Sequence, residues 1–153
     1  CISKRKGAAA MSCNVLIVDD SMSMRAVIRK ILMLSKFDVD SFFEAANGRE
    51  ALKVLGSSWV DVVITDINMP VMNGIEMIQE MRKDELYGQI PVIVVTTEAN
   101  RERIEEAARL GAKGFLKKPF LPEELKRVLQ SALGFAKDGT YREEATADGE
   151  LDF

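Results

Sequence analysis

Four apolar, strand-like runs each end in residues fit for metal or phosphate chemistry. Asn14–Val18 runs into Asp19 and Asp20, and Val60–Thr65 into Asp66. Pro91–Val95 runs into Thr96 and Thr97, and Gly114–Leu116 into Lys117, Lys118 and Pro119. In an open parallel sheet the carboxyl ends of the strands share one edge, where ligands bind, so residues roughly 100 positions apart meet in one pocket. Three carboxylates gathered there repel one another unless a cation joins them. Oxygen-only ligands at a small, partly hydrated site favour Mg²⁺, with Mn²⁺ an alternative. One lysine cannot balance three negative charges. The set makes sense if a dianionic phosphoryl group is held between the metal and Lys118.

Taken singly, each residue has a plainer role. A pair of acids before a helix caps it, and Asp66 in an Asp-x-x-x-Pro run marks a turn. Thr96 is an ordinary strand end, and Lys118 before Pro119 is a solvated lysine in an extended dipeptide. Recurrence at one sheet edge is what these plainer roles leave unexplained.

The elements that must position these residues follow from hydrophobic period. Apolar runs alternate with amphipathic, helix-period segments, which predicts repeated β-α units. Ser21 caps a helix with Met24, Val27, Ile28, Ile31 and Leu32 on one face. Asp40–Ala45 reads as a shorter strand, followed by a helix from Gly48 to Leu55 with Ala51, Leu52 and Leu55 inward. Asn73 and Gly74 open a helix through Met77, Ile78 and Met81, and a polar turn (83–89) leads to the strand at Pro91. The helix from about Asn100 to Leu110 has a thin apolar stripe (Ile104, Ala107, Ala108, Leu110), which predicts the most loosely held helix, and Gly111 ends it as a left-handed cap. A last helix opens at Pro122-Glu123-Glu124 and buries Leu125, Val128, Leu129 and Leu133.

Bulk properties exclude several classes. A chain of 153 residues suits one domain. Its net charge of −3 gives no support to direct nucleic-acid binding, and no apolar run is long enough to cross a bilayer. With no histidine in the chain, Ser-His-Asp chemistry and His-ligated zinc are excluded. Residues 1–12 read as a flexible lead-in without a secretory h-region, Met11 being a candidate natural start. Cys1 and Cys13 suggest no disulfide framework, which favours a reducing cytoplasm. Residues 13–135 form the expected domain, and 136–153 read as an acidic, disordered tail.

Ile17–Asp20, Asp66-Ile-Asn-Met-Pro70 with Asn73-Gly74, Val95–Glu98 and Lys118-Pro119-Phe120 together resemble the receiver domain of bacterial two-component response regulators. Gly111-Ala-Lys-Gly-Phe115 matches as well. The likeness spans about Asn14 to Phe135 and is nearest to stand-alone chemotaxis receivers of the CheY type. It implies a flavodoxin-like, doubly wound α/β fold: a five-stranded parallel sheet in order 2-1-3-4-5 with five helices.

The resemblance also implies roles. Asp66 is the phosphoacceptor, receiving its group from a phosphohistidine on a sensor histidine kinase or a histidine phosphotransfer protein. Asp20, Asp66 and the Asn68 carbonyl ligate Mg²⁺, and Asp19 holds a metal-bound water. Lys118 pairs with a phosphoryl oxygen, the Lys118–Pro119 bond is cis, and the Thr97 backbone contacts the phosphate. Thr96 and Phe115 form the switch, although Phe115 reads equally well as a core aromatic. CheY-type proteins often carry tyrosine there, so a partner contact through that hydroxyl is absent here. Asn68 and Glu98 modulate dephosphorylation. A downstream target protein meets the face built by the fourth helix, fifth strand and fifth helix. The chain is then a signalling phosphoacceptor, catalysing only its own phosphorylation and dephosphorylation, in chemotaxis or another two-component pathway. The alternatives are a phosphorelay intermediate and an aspartyl-phosphate phosphohydrolase. The hydrolase is disfavoured because Asn68 stands where its proton-shuttling acid would be. A cofactor-binding flavodoxin is disfavoured by the lack of a Gly-rich loop after the first strand.

Overall fold

The computed structural model describes residues 13–97 and 101–134. The lead-in, Glu98, Asn100 and the tail lie outside the described residues. The elements run β1 (Cys13–Val18), α1 (Met22–Ser35), β2 (Val39–Ala45), α2 (Gly48–Ser57), β3 (Val62–Thr65) and α3 (Gly74–Arg82). A 3₁₀ turn (Tyr87–Gln89), β4 (Val92–Thr96), α4 (Arg101–Arg109), β5 (Gly114–Lys117) and α5 (Pro122–Leu133) follow. All strand pairs are parallel, in the order β2-β1-β3-β4-β5. This is the flavodoxin-like arrangement expected from the sequence.

The central strands are apolar throughout because both sheet faces are covered. Val15, Ile17, Val62, Ile64, Ile93 and Val95 point to one side, where Ile28 and Leu32 of α1 and Leu125 and Leu129 of α5 cover them. Leu16, Val18, Val63, Val92 and Val94 point to the other, against Ala51 and Leu55 of α2, Met77, Ile78 and Met81 of α3 and Ala107 of α4. Such alternation follows from the two-residue period of a strand. It leaves the loops at the carboxyl edge to carry the polar residues.

Several expectations need correction. Ala108, expected on the packed stripe of α4, is exposed, and only Ala107 of that helix is buried. The fourth strand begins at Val92, one residue after Pro91. Val27 is 46% exposed, whereas Ile28 and Leu32 are buried. At about 100° per residue the stripe runs through Met24, Ile28, Leu32 and Ser35, and Val27 falls to its side. The third strand begins at Val62, not Val60, because the Asp61 carboxylate takes the Asn14 N–H at 2.8 Å and the Trp59 indole N–H at 3.1 Å. Trp59 therefore precedes its strand and is half exposed. The second helix continues two residues beyond Leu55, to Ser57.

Local chemistry explains the helix ends. Ser21 accepts the Met24 N–H at 3.1 Å, and Asn47 accepts the Glu50 N–H at 2.9 Å. Asn73 and Glu76 form a reciprocal capping box at 2.8 and 2.9 Å. Gly111 has φ 101°, the left-handed cap expected. A Cβ there would also lie 2.8 Å from Arg82 Nη2. Arg82 donates to the carbonyls of Gly88, Leu110 and Gly111, tying the end of α3 to the α4–β5 turn. Burial pushes its guanidinium below its ordinary pKa, yet an arginine stays charged in a protein.

The β3–α3 turn is held from two sides. Its Met72 carbonyl accepts the Gly48 N–H at 2.9 Å, and its Ile67 carbonyl accepts the Gly74 N–H at 2.9 Å. Val71, 70% exposed, sits at φ 67°, a costly conformation for a β-branched residue. A Cβ on Gly74 would lie 2.3 Å from the Asp66 carbonyl oxygen. Gly74→Ala is therefore expected to lower the unfolding free energy by about 1–3 kcal/mol; an unchanged urea midpoint would show that the turn can back away freely. Trp59 lies at the sheet edge opposite Asp66, so its emission should change little on adding Mg²⁺. Strong quenching would contradict that placement.

Candidate functional site

Strand register brings the polar residues level. Val18 of β1 stands opposite Thr65 of β3, and the next peptide N–H, of Asp66, donates to the Val18 carbonyl at 3.0 Å. Thr96 of β4 stands opposite Lys117 of β5, and the Lys118 N–H donates to the Thr96 carbonyl at 3.0 Å. Ladder hydrogen bonds thus carry one residue past the strands and fix where Asp66 and Lys118 begin. The Lys118–Pro119 peptide is cis, as expected.

Asp19, Asp20 and Asp66 each offer a carboxylate oxygen, all within 4.8 Å of one another. They form a gradient of burial: Asp19 is 2% exposed at the floor, Asp66 is intermediate, and Asp20 is exposed at the rim. Lys118 Nζ lies 3.1 Å from Asp19 Oδ2 and 3.5 Å from Asp66 Oδ2. The remaining oxygens are also directed. Asp19 Oδ1 accepts the Ser21 N–H at 2.9 Å, and Asp66 Oδ1 accepts the Ile67 N–H at 2.7 Å. Asp66 is therefore pinned by its own loop through one oxygen and turns the other toward the lysine.

Three carboxylates against one ammonium leave two negative charges, which a divalent cation matches. A small cluster of hard oxygen donors, open on the Asp20 side, fits Mg²⁺ better than a soft metal. The residues present fit the metal expected from the sequence.

Thr96 is buried at the end of β4, the strand beside β3. Val94 stands opposite Phe115, so Thr96 and Phe115 share one face of adjacent strands, two positions apart. Phe115 is half buried against the core under α2, α3 and α4. Asn68, two residues after Asp66, and Thr97, next to Thr96, are both exposed. Glu98 falls outside the described residues.

Sequence reasoning missed several contributors. Thr65 Oγ1 donates to the Asp66 carbonyl at 2.8 Å, and Gly74 gives that carbonyl room. Arg25 Nη1 donates to the Asp19 carbonyl at 2.6 Å, and Arg25 Nε lies 2.9 Å from Glu44 Oε1. One signal for Arg25 was available: a cation in the first turn of a helix opposes the helix dipole.

Comparison with known proteins agrees with this geometry. The response regulator receiver domain profile matches residues 15–130. A chemotaxis protein CheY homolog of Campylobacter jejuni is 39% identical over 121 residues, covering 78% of this chain and 92% of its own. The chemotaxis protein CheY of Pseudomonas aeruginosa is 40% identical over 116 residues, covering 76% and 92%. Among solved structures, Vibrio cholerae CheY4 superposes with TM-score 0.70 at 41% identity, over 81% of this chain and 100% of that one. The receiver domain of a Pseudomonas aeruginosa sensor histidine kinase, with a magnesium ion coordinated in its active-site cleft, gives TM-score 0.69 at 28% identity, over 80% and 98%. A sheet edge that gathers three aspartates under one lysine, and a profile covering that whole sheet, lead to the same place: this chain belongs to the response regulator receiver domain family.

Proposed function

We propose that residues 13–135 of this chain form a receiver that takes a phosphoryl group from a phosphohistidine of a partner kinase onto Asp66. One observation carries the reading. Asp66 Oδ2 faces the Lys118 ammonium at 3.5 Å, within a cluster whose uncompensated charge suits one divalent cation.

An Asp66 carboxylate oxygen attacks phosphorus while the phosphorus–nitrogen bond to the donor imidazole breaks. The electron pair leaves on that ring nitrogen, and an acyl phosphate remains on Asp66. The step needs positioning and charge neutralisation more than acid–base chemistry. Lys118, 10% exposed and already drawn between Asp19 and Asp66, exchanges a carboxylate contact for a phosphoryl oxygen. Asp19, Asp20, Asp66 and the Asn68 carbonyl would hold Mg²⁺, which supplies charge neutralisation at the phosphoryl oxygens when bound. The Thr97 N–H faces the phosphate, and the Thr96 hydroxyl moves to a phosphoryl oxygen. That movement clears space for the Phe115 ring on the same sheet face. The displaced surface, formed by α4, β5 and α5, then binds a target protein differently. Chemotaxis relatives favour this switch over onward relay. Among the described residues no helix is long and apolar enough to cross a membrane, which accords with a cytoplasmic role.

Incubation with a small-molecule phosphodonor and Mg²⁺ should add the mass of one phosphoryl group. The shift should vanish in Asp66→Asn and when the metal is chelated; labelling that persists in the variant would move the acceptor elsewhere. By the family likeness, Asn68 and Glu98 govern how water reaches the acyl phosphate. The purified phosphoform is therefore expected to decay within hours, and a mass spectrum unchanged over that time would count against the assignment of those two residues.

A further inference from the structure

Asp19 is the most buried member of the acidic cluster, 2% exposed, and each of its polar atoms has a partner. Its N–H donates to the Ala45 carbonyl at 3.1 Å. Its two carboxylate oxygens take the Ser21 N–H at 2.9 Å and Lys118 Nζ at 3.1 Å. The remaining polar atom, its carbonyl oxygen, takes Arg25 Nη1 at 2.6 Å. The last of these contacts has no place in the phosphotransfer described above.

Arg25 occupies an unfavourable position for its charge. It lies in the first turn of α1, where the unpaired N–H groups already make the helix end positive. Its side chain is only 12% exposed. Glu44 of β2, opposite Ile17 in the ladder, offsets that cost. Glu44 Oε1 lies 2.9 Å from Arg25 Nε, and its other oxygen lies 2.8 Å from Arg29 Nη2. The Arg29 guanidinium in turn stacks 4.9 Å from the centre of the Phe42 ring. A chain of contacts therefore runs from the β2 surface through Phe42, Arg29, Glu44 and Arg25 to the peptide of Asp19. Local rules are broken where something else gains from the break, and here the gain falls on Asp19.

We infer that Arg25 is a positioning residue for the metal site, with Glu44 as its anchor. This inference rests on the Mg²⁺ reading given above. Arg25 holds the Asp19 peptide so that the carboxylate faces the cluster before any cation or phosphoryl group arrives. Partners that orient metal ligands commonly matter by about 10- to 100-fold in affinity. A contact to the ligand's main chain should sit at the low end of that range.

Positioning and plain electrostatics predict opposite signs. A cation near the site repels Mg²⁺, so removing its charge alone would tighten binding. Loss of positioning weakens it. Calorimetric titration of MgCl₂ into the unphosphorylated full chain separates the two, with thermal melts run alongside. Arg25→Gln should weaken Mg²⁺ binding by about 5- to 10-fold. Arg25→Lys, which keeps the charge but cannot span both Asp19 and Glu44, should also bind more weakly than the parent chain. Glu44→Ala should weaken binding less than Arg25→Gln and have no added effect in an Arg25→Gln background, because it acts through Arg25. Parent-like or tighter binding by Arg25→Gln would overturn the inference, as would multiplicative losses in the double variant. Should Arg25→Gln fail to fold, Arg25→Lys decides: parent-like affinity overturns the inference and weaker affinity upholds it. Absence of binding by the parent chain would instead overturn the metal reading, and this inference with it.

Discussion

One ammonium group lodged between two carboxylates sets the terms for the rest of the molecule. At an effective dielectric constant near 20, Asp19 and Asp66 about 5 Å apart repel by on the order of 3 kcal/mol, while each is drawn to Lys118 by about 5 kcal/mol. The lysine therefore wins for that pair. Asp20 tips the balance back, leaving an edge that is negative, preorganised and short of cationic charge. Such a site is stable enough to fold and unsatisfied enough to bind. Its open side, at Asp20, faces solvent.

The fold serves that balance by separating two jobs. Strands apolar on both faces supply the buried mass, and none of the three clustered aspartates lies within a strand. Asp19, Asp66 and Lys118 lie one residue beyond their strands and Asp20 two, where register still fixes the backbone but side chains are released from the core. Register is the reason residues far apart in sequence arrive at one point: Asp66 bonds to Val18, and Lys118 to Thr96. Gly74 completes the arrangement by letting α3 approach the Asp66 carbonyl more closely than any side chain would allow.

Much of this was legible in the residues. Alternating apolar runs and helix-period segments predicted five strands and five helices, and strand ends carrying Asp, Thr and Lys predicted the edge. What escaped was of three kinds. Boundaries failed where a polar side chain redirected the chain, as Asp61 does by capturing the Asn14 N–H and delaying β3. Face assignment failed at Val27, where hydrophobicity suggested burial but helix geometry turned the residue outward. Side-chain donors to backbone carbonyls, such as Arg25 to Asp19 and Arg82 to Gly111, escaped because a backbone acceptor has no sequence signature. The order of the strands came from family likeness, since periodicity alone does not say which strand lies beside which.

Arg82 has a mechanical corollary. It grips the carbonyls just beyond the end of α4, and Ala107, the one fully buried side chain of that helix, lies in its last turn. The other end of α4 follows Thr96 and Thr97 and begins with exposed Arg101 and Glu102. A rod clamped at its far tip and nudged at its near one swings about the clamp instead of sliding. On the phosphorylation proposed above, events at Asp66 would reach the outer surface as a change of angle, and a protein bound along α4 would sense the tilt of a lever with Arg82 as fulcrum.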